Sequence, residues 1–328
     1  MSEDEIKNKV TSDTMAVFKA KEKSILIDPE YYKKYSEYLK DKYGEKVYKL
    51  PINLPITCPN RIQNTGCTFC SEVGTGFEAM SSSCSVTQQL QSTKELITRK
   101  YKAKKFIAYF QNFTNTYDSL ENLKLKYDSV FIDKRIIGLQ IATRPDCINE
   151  NIVRLLKTYT DKYYVCVELG LQTSNDNTAL TINRGYESKV FTEAVKLLNK
   201  YNIEVITHIM VGLPGETIDN IKETVEFLNN HNIQGLKIHS CYVIKNTKLA
   251  KLYQDGNYSP ISLDEYLEYA SYIITHINPK IILHKVSGDA PKDLLIAPEW
   301  NSHKKWILNG LDKLLNDKNL YQGMYYKA

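Results

Sequence analysis

Cys58-Pro-Asn-Arg-Ile-Gln-Asn-Thr-Gly-Cys67-Thr-Phe-Cys70 sets how the rest of the chain is read. Three cysteines fall within thirteen residues, spaced C-x8-C-x2-C. The stretch follows a strand-like run, Val47 to Ile56, and opens a Gly- and Ser-rich loop. Thiolates are soft ligands that select zinc, copper(I) or iron–sulfur clusters. Four would close a tetrahedral site; three leave one position open, as a centre needs if it is to bind a substrate or cofactor.

Outward from this loop the sequence repeats one pattern. Upstream, residues 29–43 have the period of an amphipathic helix stopped by Gly44. Residues 1–28 are polar and weakly periodic, and read as a loosely ordered extension. Downstream, helices are expected over 86–103, 118–127, 149–159, 188–200 and 217–230. Strands are expected over 106–111, 136–141, 163–169, 203–211 and 235–243, with a further strand-like run at 281–286. Helices follow again at 245–253, 263–277 and 300–315. Alternating strands and helices of this kind build βαβ units around a parallel sheet. No GxGxxG follows the first strand, so a partial (β/α)6 barrel of the TIM type fits better than the runner-up, a doubly wound open sheet. The barrel is expected over 29–290, with a helical extension over 291–328 packed on it.

A strand buried on both faces should be nearly all apolar. Several of these strands instead carry an isolated polar residue near the carboxyl end: Gln111 and Asn112, Gln140 and Thr143, Glu168, His208, His239. One such residue alone reads as a hydrogen-bonded core group. Five strands placing one at a similar depth point to a polar lumen at the end where parallel barrels build their sites.

The totals narrow the class. The chain has 328 residues, 42% of them hydrophobic and 25% charged, and no apolar run of membrane-spanning length. Its acidic start, Met1-Ser-Glu-Asp-Glu5, is not a secretory signal. Seven cysteines, an odd number, argue against a disulfide framework and for a reducing, cytoplasmic setting. Cys166 and Cys241 lie inside apolar runs and read as small core residues. The net charge of +5 permits a nucleic-acid partner without demanding one. Two basic clusters contain aromatics, Arg99-Lys-Tyr-Lys-Ala-Lys-Lys105 and His303-Lys-Lys-Trp306. The first is equally a solvated helix end.

The favoured reading of Cys58, Cys67 and Cys70 is a [4Fe–4S] cluster whose fourth iron is open to S-adenosylmethionine (SAM). A zinc site completed by Cys84 or a histidine is the alternative, although zinc knuckles bring two C-x2-C pairs or one pair with two close histidines. Here no histidine follows until His208.

Taken with Cys58-Pro-Asn-Arg61, the motifs Gln111-Asn-Phe-Thr-Asn-Thr-Tyr117, Thr143-Arg-Pro-Asp146, Glu168-Leu-Gly-Leu-Gln172, Asn183-Arg-Gly185, His208-Ile-Met-Val-Gly-Leu-Pro-Gly-Glu216 and Gly288-Asp-Ala-Pro291 carry a family resemblance. Leu295-Ile-Ala-Pro-Glu-Trp300 continues it. Over about residues 30–323 the chain resembles the YhcC/YtqA group of radical SAM proteins, a group related to the radical SAM part of the Elongator catalytic subunit. The resemblance implies a partial TIM barrel, a [4Fe–4S] cluster on the three cysteines, and SAM as co-substrate, cleaved reductively to a 5′-deoxyadenosyl radical. It implies SAM contacts from Phe69, Glu168, Arg184 and Gly212.

The Gly-Gly-Glu that commonly receives the SAM amino group is absent. Tyr109-Phe-Gln-Asn112 stands in its place, so Gln111 and Asn112 are expected to take that role. Gln140, Arg144, His208 and His239 are candidates for the lumen or the substrate. An electron donor such as flavodoxin or ferredoxin is implied, and kinship to Elongator suggests tRNA, modified at the wobble uridine. A small metabolite or a protein is the alternative substrate. A metal-bearing nucleic-acid-binding protein without catalysis is the alternative from another class.

Overall fold

In the computed structural model, residues 31–72, 74, 77–288 and 290–327 are described. The extension expected over 1–28 lies outside them. The sheet has seven parallel strands in the order β1-β2-β3-β4-β5-β6-β8, so each strand except the last is laid beside its predecessor in sequence. They are β1 (Val47–Asn53), β2 (Lys105–Gln111), β3 (Ile136–Thr143), β4 (Tyr164–Gln172), β5 (Glu204–Val211), β6 (Gly235–Ser240) and β8 (Ile282–Lys285). The sheet is curled into a half-barrel. Tyr109 on β2, Glu168 on β4 and Lys237 on β6 are within hydrogen-bond reach of one another, although β2 and β6 are separated by three strands.

Side-chain alternation explains both faces. On β5, Val205, Ile209 and Val211 point out to the helix layer, while Ile206, His208 and Met210 point in. Outside, the sheet is covered by helices such as α4 (Leu120–Asp128), whose Tyr127 meets Phe110 edge-on at 5.2 Å. Inside, α1 (Tyr35–Tyr43) closes the amino-terminal end. Its Tyr35 and Leu39 pack against Ile107, Tyr164, Cys166 and Ile206. Just before α1, the backbone of Lys33 accepts a hydrogen bond from Leu283, which ties this segment to the free edge of β8. The amino-terminal end of the lumen is therefore plugged, and a site is left at the carboxyl-terminal end.

The expected strand over 235–243 divides. Strand β6 ends at Ser240, and Val243–Ile244 (β7) leaves the barrel to pair antiparallel with β9 (Leu295–Ala297). Two short helices escaped the sequence reading. These are α2 (Pro59–Gln63), inside the cysteine loop, and α6 (Asp176–Thr181), after β4. The carboxyl-terminal helix α11 (Lys304–Asp317) lies against α10 (Leu263–His276). The approach is so close that a Cβ on Gly310 would stand 2.7 Å from Leu267.

Candidate active site

The three cysteines share one cavity of about 450 Å³ at the carboxyl end of the strands. Cys58 caps α2, Cys67 follows the turn at Gly66, and a turn from Cys67 leads to Cys70. Several bonds fix this loop to the barrel. Thr68 N–H donates to Ile182 O at 3.0 Å, Asn183 Nδ2 to Gly66 O at 2.7 Å, and Leu249 N–H to Thr68 O at 2.9 Å. Asn60 and Arg61 turn N–H groups toward sulfur: Asn60 Nδ2 lies 3.6 Å from Cys67 Sγ, and Arg61 Nη2 lies 3.5 Å from Cys70 Sγ. Burial and the neighbouring Cys70 push the Cys67 thiol up to about 12, and burial also raises Cys70. Such thiols would give up their protons when a metal centre binds the sulfur in the proton's place.

Three thiols on one wall, two of them approached by N–H donors, are the donor set that an iron–sulfur cluster takes. Among the described residues, no three His, Cys, Asp or Glu side chains are gathered closely enough to hold a single metal ion. Cys84, the considered fourth ligand for zinc, is absent from the cavity wall and lies in the turn before α3 (Val86–Tyr101), where its carbonyl accepts from Gln89.

Below the cysteines, the lumen holds a charged network centred on Glu168. Its carboxylate accepts from Tyr109 Oη at 3.3 Å, from Gln140 Nε2 at 3.0 Å and from Lys237 Nζ at 2.5 Å. Lys237 also reaches Tyr109 Oη at 2.9 Å. Burial alone would raise the Glu168 carboxyl. The charges of Lys237, His208 and Lys49 outweigh it and hold the group well below the usual carboxylate range. His208 is lowered to about 4 by burial, against the pull of Glu168. Burial, followed by His208, drives His239 well below its ordinary value, and the two imidazoles lie 4.1 Å apart. Burial thus disfavours the charged form of both histidines, which face a carboxylate and lysines.

The structure brings most of the expected residues together. Phe69, Gln111, Asn112, Arg144, Glu168, Arg184, His208 and His239 all line the cavity. Gln111 Nε2 and His208 Nε2 are buried without a hydrogen-bond partner among the described residues. Gln140 lies behind the wall, fully buried on Glu168. Gly212 is outside the cavity lining. With φ +87° it makes the turn after β5, its N–H and that of Leu213 donating to Glu216, which burial raises to about 8. Arg184 is fully buried and commits four of its five N–H groups within the protein. They go to Leu171 O, Thr173 O (2.6 Å), Tyr186 O (3.0 Å) and Asp176 (3.2 Å). Arg144 forks onto Asp146 at 2.9 and 2.7 Å and donates to Arg184 O at 2.9 Å.

Sequence reasoning missed Lys49, Tyr109, Lys237 and Glu78, all on the cavity wall. The signal for Lys237 was present: it shares a strand face with His239, two residues on. Lys49 stands in the same relation to the middle of β1. Glu78 comes from the loop after Cys70, where no periodicity could place it.

Comparison with known proteins agrees with this geometry. Residues 53–228 match the Radical SAM superfamily, and residues 233–317 match the Radical_SAM C-terminal domain. The chain is 36% identical over 293 residues to YtqA of Bacillus subtilis, covering 88% of this chain and 91% of that protein. It is 34% identical over 280 residues to YhcC of Escherichia coli, covering 84% and 89%. Mouse Elongator complex protein 3 is 29% identical over 167 residues, which span 49% of this chain and 29% of that protein. Among solved structures, the archaeal Methanocaldococcus infernus Elp3 shares the fold with a TM-score of 0.66 at 18% identity, over 84% of this chain and 64% of that one. Methylornithine synthase (PylB) does so with a TM-score of 0.51 at 10% identity, over 84% and 83%. A loop that brings three thiols to one cavity, a curled parallel sheet and these matches converge on one conclusion: the chain belongs to the radical SAM superfamily.

Proposed function

We propose that this radical SAM enzyme acts on tRNA, at the wobble uridine, using a [4Fe–4S] cluster held by Cys58, Cys67 and Cys70. The observation that carries the cluster assignment is the shared wall: three thiols without a fourth on one cavity, with N–H groups directed at two of the sulfurs. When bound and reduced by an electron donor, the cluster would supply one electron to the sulfonium of SAM, breaking its C–S bond to give methionine and a 5′-deoxyadenosyl radical; the protein would supply orientation and exclusion of water.

The chain's own residues fit that division of labour. Phe69, partly buried against the apolar cluster that includes Met210 and Ile182, lines the cavity and offers an apolar face for an adenine. Gln111 Nε2 offers an unused donor to the amino-acid end of SAM. Glu168, fixed by Tyr109, Gln140 and Lys237, holds a set charge below, and the His208 ring lines the cavity beside it. Arg184 braces the loop after β4 against the end of that strand, Arg144 ties it to the segment after β3, and Asn60 and Asn183 tie it to the cysteine loop.

Support for tRNA comes from the partial similarity to Elongator complex protein 3. Enzymes that work on a base need it out of the stack, and a loop nucleotide meets that need at least cost. The test is to measure 5′-deoxyadenosine formation with and without total tRNA. A tRNA-dependent rise that nuclease treatment abolishes is expected. A rate indifferent to tRNA but raised by a small-molecule or peptide fraction would replace tRNA as the substrate.

A further inference from the structure

We propose that the start of α11, with His303, Lys304, Lys305 and Trp306, is the rim on which the RNA is held: an unpaired base stacks on Trp306 and phosphates lie along the lysines. This rests on the tRNA reading above.

The sequence carries two basic clusters with aromatics, and the fold places them at opposite ends of the barrel. Arg99–Lys105 runs from the end of α3 into the first residue of β2, at the amino-terminal edge that α1 closes. Two of its lysines make local contacts at that edge, away from the cavity. Lys105 donates to Tyr43 O at 2.9 Å and pairs with Glu45 at 3.4 Å, and Lys104 is 3.9 Å from Glu45. The second cluster begins α11 at the other end, where Lys304 forms part of the wall of the cysteine-lined cavity.

The form of this rim suits a single-stranded partner. Trp306 is 51% exposed, unusual for the largest apolar side chain. Its ring already lies flat on His303, with centroids 4.1 Å apart and planes 17° apart. A base added to the open face would extend a stack whose orientation is set in advance, and stacking of this kind tolerates any sequence. The helix beneath is firmly seated: Ile307, Leu311 and Leu315 are fully buried. The neighbouring β7 sends Ile244 into the cavity wall, with Lys245 exposed just beyond it and donating to Asp293 O at 2.8 Å. Lysines around an exposed aromatic neutralise phosphates and stack an unpaired base together, which is how loops of RNA are recognised.

The test is fluorescence anisotropy with a labelled anticodon stem-loop RNA and the full chain, titrated at several salt concentrations. The variants are Trp306→Ala, Lys305→Glu and, at the opposite end, Arg99→Glu. The wild type is expected to bind with an affinity that falls as salt rises. Trp306→Ala is expected to weaken binding about tenfold. Lys305→Glu should weaken it and flatten the salt dependence, while Arg99→Glu leaves binding unchanged. Salt-sensitive binding by the wild type that neither rim variant alters would overturn the rim and leave the tRNA reading standing. No salt-sensitive binding by the wild type would overturn both.

Discussion

Lys237 Nζ on β6 lies 2.5 Å from Glu168 Oε2 on β4, and both side chains are 5% exposed. The pair spans the lumen across β5 and holds the polar floor of the cavity. Removing one partner from such a pair strands the other charge in a medium that solvates it poorly. Lys237→Met should therefore destabilise the protein by about 3–5 kcal/mol. The double variant Lys237→Met/Glu168→Gln should recover a large part of that loss. Denaturant unfolding of the set checks both statements, and equal instability of single and double variants would contradict the pairing.

Lys49 faces the same lumen over the Tyr109 ring, at 4.8 Å from its centroid. Burial first, then repulsion from Lys237, lowers it from 10.5 to about 7. Between about pH 7 and 10.5 the unfolded chain holds more protons at this residue than the folded one. Stability therefore gains from this group as pH rises through that window, and the cost of charging it is complete below pH 7. Lys49→Met should be more stable than wild type at pH 6.5, with the difference shrinking toward pH 10. Thermal melts across that range read it directly. A constant difference at all pH values would mean that Lys49 titrates normally.

His208 works over a lower window. Its folded value of about 4 lies below the ordinary 6.5, so stability from keeping it neutral is complete above pH 6.5 and is lost as pH falls toward 4. His208→Phe should flatten the acid limb of the stability curve between pH 6.5 and 4. An unchanged slope there would assign the acid sensitivity elsewhere.

Arg184 separates two roles. Its four internal hydrogen bonds make it a strut for the loop after β4. Hydrogen bonds to a charged group contribute about 1.5–3 kcal/mol each. Arg184→Ala should thus lower the unfolding midpoint steeply, before any question of SAM arises. A variant of normal stability with weakened SAM binding would instead make it chiefly a cofactor contact.

Much of this was legible in the sequence. The strand–helix alternation gave the barrel because fully buried strands and amphipathic helices differ in both length and period. Helix α7 (Ser188–Lys200) was placed to the residue, since its apolar face repeats cleanly and Lys200 ends it. The break after Ser240 was hidden because Val243 and Ile244 are as apolar as the strand before them, and their partner β9 lies some fifty residues on. Gln111, Asn112, Glu168, His208 and His239 were visible as polar residues in apolar strands. Lys49 and Lys237 share that signal, but their usual place is the surface, and periodicity alone does not say which face of a curled sheet is wet. The bonds that Arg184 makes to carbonyls are set by loop geometry, which leaves no periodic trace.

The most direct test of the central claim is anaerobic reconstitution of the chain with iron and sulfide. Iron is counted per chain, and SAM cleavage is then followed with a strong reductant, beside a Cys67→Ala/Cys70→Ala variant. The account predicts about four irons per chain, lost in the variant, and 5′-deoxyadenosine from the wild type alone. Zinc in place of iron, or an iron–sulfur cluster that never cleaves SAM, would contradict it.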